Sequence, residues 1–509
     1  MRVGEIGHLS PMKAGAVQRR VLSALVRNVC ALALIALSVD ATAGDQSAAK
    51  NWQAMARLDL DAAYQLLQNN HPGALAELGD AQFTTALAVA HAAALKRASA
   101  ISNYEGYTAT LGEFASSMGD GHIWSHPLFL PGTLEWAGLI AAKRGADWVV
   151  ANDNATIVGT ELGGARILSC DGVPVETLAQ DVLHFQTNVD VAAMQIISAG
   201  WLLLDAGNPF LRRPRVCVFD QDGKSASVTL RWNSIRRDEL RNRYWKHPYG
   251  AAGFELRASG AGYWIAIQEL TPAAQPVIDA VKVQDTAIRA ASYLVVDLRG
   301  NGGGDDDYGR TLAEHIYGRD FVTAVIGPRD YDSGGCQAVF RASSDNIAAM
   351  SAAATKFRQA GDAAGFTAYT TAVTSMKAAA ALGRQLAGNL TCPAKSKSKP
   401  EALRSLSHGK IYVLTDAVCF SSCIQVVGFF RQLGAIQVGE ATGADTHYSE
   451  VREIVLPSGL STFSTLQAMM PDAPRKIGPY DPKYQFNGDI ADTAALEKWL
   501  ADLNASSTE

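Results

Sequence analysis

Four side chains capable of nucleophilic attack stand within five residues at Cys419-Phe420-Ser421-Ser422-Cys423, where the apolar run IYVLTDAV breaks and IQVVGFF resumes. A serine hydroxyl attacks a carbonyl only when a base takes its proton and oriented donors accept the charge that builds on oxygen. A strand turning into a helix supplies part of this, because the first N–H groups of a helix are unpaired and its dipole favours an anion. A thiol nucleophile would need a lowered pKa in a partly exposed site, and in an oxidising compartment it would be vulnerable. Cys419 and Cys423 are therefore expected to be structural, paired around the turn or buried in strand and helix.

A second constellation lies upstream. The stretch YLVVDLRGNGGGDDDYG puts Gly300, Gly302, Gly303 and Gly304 after an apolar strand and before a helical pattern, a corner that offers backbone N–H groups with no side chains in the way. A dinucleotide loop shares that context, but Gly300-x-Gly302 would need a third glycine where Asp305 stands. Asp305, Asp306 and Asp307 would also repel a pyrophosphate. Adjacent carboxylates cannot all point at one ion, so the three aspartates read as a solvated helix start. What remains is an oxyanion-type site, in which N–H groups stabilise charge developing on a carbonyl oxygen. His122 and His126 have a spacing that on a helix could hold zinc. No glutamate stands near them, and Gly121 and Pro127 oppose a helix there, so no metal or other cofactor is expected.

These residues must be positioned by a chain of 509 residues, 48% hydrophobic, long enough for about three or four compact units. Basic residues ahead of VCALALIALSV, and Ala41-Thr42-Ala43 after it, read as a secretory signal peptide over residues 1–43 whose apolar core is too short to span a bilayer. The mature chain is expected to be periplasmic or secreted, with no stable membrane span. Its formal net charge is acidic, −5 for the whole chain, and no basic stripe argues for nucleic acid. Beyond the signal segment stand Cys170, Cys217, Cys336, Cys392, Cys419 and Cys423, an even number that permits disulfides in an exported chain without revealing their connectivity.

Residues 44–130 have apolar positions three and four apart, such as Leu58, Ala62 and Leu66, and read as an N-terminal helical domain. Residues 131–235 change to short alternating runs, DWVVAND, ARILSCDG, RVCVFD and SVTLRWN, which read as a β-rich domain. Residues 236–509 run strand, helix, strand: YWIAIQEL, PVIDAVKVQDTAIRAA, YLVVDLR. The continuous apolar runs YLVV and IYVL fit parallel strands covered on both faces, so this part is α/β. An Ala-rich insertion at about 337–391 reads as a helical hairpin turning near Gly365, with Cys336 and Cys392 at its base.

At both corners the sequence resembles the tail-specific (C-terminal-processing) serine peptidases, particularly their tricorn-like branch. The resemblance rests on Asp297-Leu298-Arg299-Gly300-Asn301-Gly302-Gly303-Gly304, on the serine turn followed by Gly439-Glu440-Ala441-Thr442, and on Asp120-Gly121-His122, all in the family's order. It implies a ClpP/crotonase-like α/β catalytic domain, an N-terminal helical cap and a PDZ-like middle domain whose second half is GTELGGARILSCDGVPVETL. It makes Ser421, directly after the aromatic residue, the nucleophile. One oxyanion donor is then the N–H of Ser422. The other is that of Gly303, since members often carry proline at the place of Gly302. The larger branch of the family uses a lysine base after Gly-Glu-x-Thr, but here Thr442-Gly443-Ala444-Asp445 follows and no lysine occurs between Lys410 and Lys476. The tricorn-like branch implies His122 instead, and an imidazole of ordinary pKa, about 6.5, suits a general base. His447, almost where the lysine would be, is the alternative base. The branch's orienting acid, a glutamate close before a proline, has its nearest counterpart in Asp481.

The expected activity is that of a serine endopeptidase cleaving peptides or unfolded proteins through an acyl-enzyme at Ser421. The alternative is a non-catalytic peptide- or lipid-binding protein on the same scaffold, as in the related interphotoreceptor retinoid-binding proteins. Ile424, where the family usually has glutamate, the missing lysine and Asp481 fit that second reading.

Overall fold

In a computed structural model, which describes residues 51–245, 249–328, 336–392 and 403–506, the strands Gly262–Ile267, Tyr293–Asp297 and Lys410–Thr415 lie side by side and parallel. The expected signal peptide lies outside the described residues. The six-stranded sheet runs Phe254–Ser259, Gly262–Ile267, Tyr293–Asp297, Lys410–Thr415, Ile436–Gly439, Tyr484–Gln485, with only the first pair antiparallel. Alternation along the strands divides two cores. Ile265, Ile267, Leu294, Val296, Ile411 and Val413 face the helices Gln275–Val283, Asp306–Tyr317 and Ser422–Gln432. Trp264, Ala266, Val295, Tyr412 and Leu414 face the helix Thr493–Ser506 through Leu496 and Leu500. With both faces covered, each strand must be apolar throughout, and each fully buried Leu, Ile or Val contributes roughly 1.5–3 kcal/mol. The glycine corner and the serine turn leave the carboxyl ends of neighbouring parallel strands. Pairing of those strands is what brings the two corners together.

The helices Trp52–Asn70, Ala81–Ala98 and Tyr104–Ser116 start at Asn51, Asp80 and Asn103, whose side chains accept the N–H groups of Ala54, Phe83 and Gly106. They do not close a core among themselves. Leu60, Leu67, Phe83, Tyr107 and Phe114 pack with Phe463, Leu466 and Met469 of the wholly buried strand Ser461–Met469. That strand also pairs with Ser125–Pro127 and with Tyr448–Val455. The N-terminal helices and the last third of the chain thus share one core, and the loop carrying Asp120 and His122 is delivered to the serine turn.

Between them, Leu139–Arg144, Asp147–Asp153, Arg166–Cys170, Val216–Gln221 and Lys224–Thr229 form an antiparallel sheet. After Cys170 the chain turns at Asp171 and Gly172, both at positive φ, into the helix Val175–Leu183. A disulfide joins Cys170 to Cys217, directly opposite on the neighbouring strand. The Ala-rich insertion is a hairpin of helices Ser344–Gln359 and Ala363–Ala381, and the disulfide Cys336–Cys392 lies at its base. It turns at Gly361, where φ is 73°, and not near Gly365 as the sequence suggested. Gly365 sits in the first turn of the second helix, its N–H accepted by the cap Asp362 at 2.8 Å.

Candidate functional site

Ser421 occupies the strand-to-helix turn at φ 55°, ψ −128°, directly before the helix Ser422–Gln432. A residue with a side chain rarely takes that conformation, so its surroundings must impose it. Gly303, at φ 109°, presses its backbone against the turn: a Cβ there would stand 2.9 Å from the Phe420 carbonyl oxygen and from Ser421 Cβ. The disulfide Cys419–Cys423 spans the turn with both cysteines buried, which removes them as nucleophiles. The two serines also differ. Ser422 is buried and its hydroxyl donates to the Gly304 carbonyl oxygen at 2.7 Å. Ser421 is half-buried, and its hydroxyl makes no hydrogen bond among the described residues.

His122 reaches the turn from the helical region. Its ring centre lies 4.6 Å from that of Phe420, and Gly121 makes room for the contact, since a Cβ there would stand 2.6 Å from the Phe420 ring. Ser464 anchors the loop, its hydroxyl donating to the His122 carbonyl oxygen and accepting the Trp124 N–H, each at 2.8 Å. On the Nδ1 side, Asp445 Oδ1 stands at 3.0 Å and Asp120 Oδ1 at 3.5 Å, and all three residues are buried. The Asp445 contact has the length of an ion pair, without the alignment of a ring hydrogen bond. Asp120 accepts the backbone N–H of His122 at 2.8 Å and the Thr446 hydroxyl. Burial alone would lower the His122 pKa, but the charges of Asp445 and Asp120 outweigh it and push it up to about 10. For Asp120 burial opposes ionisation, yet pairing with His122 holds its pKa below the usual carboxylate range. With Nδ1 committed to the carboxylates, Nε2 is the nitrogen left to serve the turn. No hydrogen bond joins His122 to Ser421 among the described residues.

Ligand atoms of Asp120, His122 and Asp445 lie within 4.8 Å of one another, a set that could also take a cation. The two uses exclude each other, because an ion on Nδ1 would displace the proton that the carboxylates attract. Asp120 already accepts protein donors on both oxygens, which fits a carboxylate–imidazole pair. His126 lies on the strand Ser125–Pro127, 3.4 Å from Glu453, and stacks on Trp124.

Three expectations are corrected. Asp481 is exposed and is not the acid at His122. The Tyr480 backbone is tied to Thr442 and Gln437, and Arg431 holds the Asp481 carbonyl oxygen at 3.0 Å, which leaves its carboxylate in solvent. Asp445 stands in its place. It follows Gly-Glu-x-Thr by three residues, close to where the larger branch of the resembling family carries its base, and that position was the available signal. Gly303 is not a free donor, because its N–H is accepted by the Asn301 side chain at 2.9 Å; its contribution is the close approach that a Cβ would block. His447 makes no contact with Ser421 among the described residues: its ring centre lies 4.4 Å from that of Tyr448, and it lines a cavity of about 400 Å³ with Asp80, Gln82, Tyr448 and Arg475. Burial lowers its pKa. Replacing His447 by alanine is expected to leave kcat/KM on a peptide substrate within about threefold, whereas His122→Ala lowers it by at least about 10³-fold. Equal losses would make His447 a partner in the chemistry.

Residues 265–479 match Peptidase family S41. No curated protein matches the chain. Among solved structures, mature CPAF complexed with lactacystin superimposes with a TM-score of 0.57 at 13% identity, covering 89% of this chain and 99% of that one. Mature CPAF gives a TM-score of 0.55 at 13% identity, with 89% and 98% covered. At such identity the likeness is one of fold.

Proposed function

The chain carries a serine peptidase domain of family S41 over residues 265–479, and on that premise we propose that it is an exported endopeptidase acting on peptides or unfolded proteins through an acyl-enzyme on Ser421, with His122 as general base. The observation that carries this reading is the contrast between adjacent serines: the Ser422 hydroxyl is spent on the Gly304 carbonyl, while that of Ser421 is unengaged at the mouth of a helix. In the proposed reaction Ser421 Oγ attacks the scissile carbonyl as His122 Nε2 takes its proton. The imidazolium so formed is stabilised by Asp445 and Asp120, and the oxyanion accepts the Ser422 N–H at the positive end of the helix dipole. Gly302, whose N–H has no partner among the described residues, replaces Gly303 as the corner's candidate second donor. The intermediate collapses as His122 passes the proton taken from Ser421 to the leaving amine and the C–N bond breaks; water, giving its proton to His122, then attacks the ester, and Ser421 Oγ leaves with that proton returned to it.

Disulfides Cys170–Cys217, Cys336–Cys392 and Cys419–Cys423 support an oxidising, periplasmic or extracellular setting. Among the described residues no helix is long and apolar enough to cross a membrane. The test is labelling of the purified protein with a serine-reactive phosphonate, followed by peptide mapping. A label on Ser421 together with peptide hydrolysis is expected. Peptide binding with no label on Ser421 would instead identify a non-catalytic binding protein.

A further inference from the structure

Asp416 follows the strand Lys410–Thr415 at the base of the serine turn and is wholly buried. Its carboxylate is shared by three segments of chain. Oδ2 accepts the N–H of Gly300, first residue of the glycine corner, at 2.8 Å, and that of Gly250 at 3.0 Å. Oδ1 accepts the N–H of Val418, on the approach to Ser421, at 3.1 Å. The Asp416 backbone carbonyl also accepts the Cys419 N–H at 3.1 Å.

We infer that Asp416 is a positioning residue for the reaction, tying the glycine corner to the serine turn so that the N–H donors of both face the oxygen of the attacked carbonyl. The inference rests on the peptidase reading above. It assigns Asp416 no contact with substrate; it acts through the backbone groups it holds. A carboxylate suits the task because it only accepts, and three backbone donors converge on it from different directions.

The surroundings make this tie sensitive to protons. The charged groups nearby are Asp297, paired with Arg299 at 2.7 Å, and Glu440, whose carboxylate accepts the Ala417 N–H at 3.2 Å. Asp489 and Arg144, paired at 3.0 Å, act on Glu440. Burial, against the three N–H donors, pushes the Asp416 pKa up to about 7, and burial with the charge of Asp416 pushes Glu440 up to about 8. Protonating Asp416 places a hydrogen on an oxygen that must accept. The tie is therefore complete above pH 7 and loosens as pH falls below it.

The test compares full-length wild type, Asp416→Asn and Glu440→Gln by steady-state kinetics over pH, with phosphonate labelling of Ser421 as a separate check on the peptidase reading. The amide presents a donor where an acceptor is needed, so at least one backbone N–H loses its partner. In Asp416→Asn kcat is expected to fall about 10²-fold with KM within about threefold. In wild type, log kcat should fall more steeply below pH 7 than above it, and in Asp416→Asn that extra steepness should vanish. Glu440→Gln leaves the three bonds to Asp416 in place, so the break near pH 7 should persist. Unchanged kcat in Asp416→Asn, or a change in KM alone, would overturn the inference. Should Asp416→Asn fail to fold, Glu440→Gln still decides: a persisting break supports the role of Asp416, and its loss assigns the break to Glu440 and overturns it. A wild type that neither hydrolyses peptides nor labels at Ser421 fails the peptidase reading, and this inference with it.

Discussion

Ser421→Ala is expected to lower kcat by about 10⁴-fold or more while leaving KM nearly unchanged, because the substitution removes the attacking oxygen and nothing that binds the rest of the substrate. What activity remains would come from the Ser422 N–H and from holding the substrate in place. Alanine has a Cβ like serine, so at φ 55°, ψ −128° it keeps the backbone cost that Ser421 bears. Ser421→Gly removes that cost along with the hydroxyl and should be more stable than the alanine variant by about 1–3 kcal/mol. Denaturant titration of both variants, beside the kinetics, separates the two effects. A glycine variant no more stable than alanine would mean that the turn is not strained, and an alanine variant with wild-type turnover would remove Ser421 from the chemistry.

Asp445→Asn should change the pH profile more than the activity near neutrality. In the wild type the two carboxylates hold His122 up at about 10, so near pH 7 most of the imidazole is protonated and cannot act as a base. kcat/KM should rise with pH toward that value. Losing the Asp445 charge lowers the His122 pKa, which frees base at neutral pH, but it also withdraws stabilisation from the imidazolium formed in the transition state. The two effects oppose each other at pH 7 and no longer do so at pH 10. The expected loss is about 10²–10³-fold at alkaline pH, smaller near pH 7, with the rising limb shifted to lower pH by at least about one unit. A uniform loss with an unmoved limb would show Asp445 acting only in orientation. Stability follows the same linkage. His122 has a folded pKa above its unfolded value of 6.5, so its contribution is complete below pH 6.5 and is lost as pH rises through about 10. The Tm difference between wild type and Asp445→Asn should narrow over that range.

Much of the site was readable from local pattern. The apolar runs YLVV and IYVL had to be parallel strands covered on both faces, and corners that follow adjacent parallel strands lie at the same edge of the sheet. The serine turn, the glycine corner and Asp-Gly-His were each visible as short motifs. The choice of Ser421 over Ser422 came from the resemblance, through its place directly after the aromatic residue; the structure adds that the Ser422 hydroxyl donates to the Gly304 carbonyl, more than a hundred residues upstream, which supports the proposed choice. The disulfide pairing required Cα positions, since spacing leaves connectivity open.

Apart from Gly303, whose N–H is taken by Asn301 two residues away, the residues misjudged from sequence are those whose partners come from distant elements. Asp481 was chosen by its place before a proline, but the backbone ties of Tyr480 and the Arg431 side chain turn its carboxylate to solvent. Asp445 and Asp416 were passed over because a lone aspartate in a loop carries no periodicity; each has its role through what other segments bring to it. Sequence alone determined the layers and the neighbourhood of the proposed nucleophile, because strand burial and turn chemistry are set by residues close along the chain. Tertiary structure alone decided which acid meets His122, since that contact exists only because the N-terminal helices borrow the strand Ser461–Met469 to complete their core.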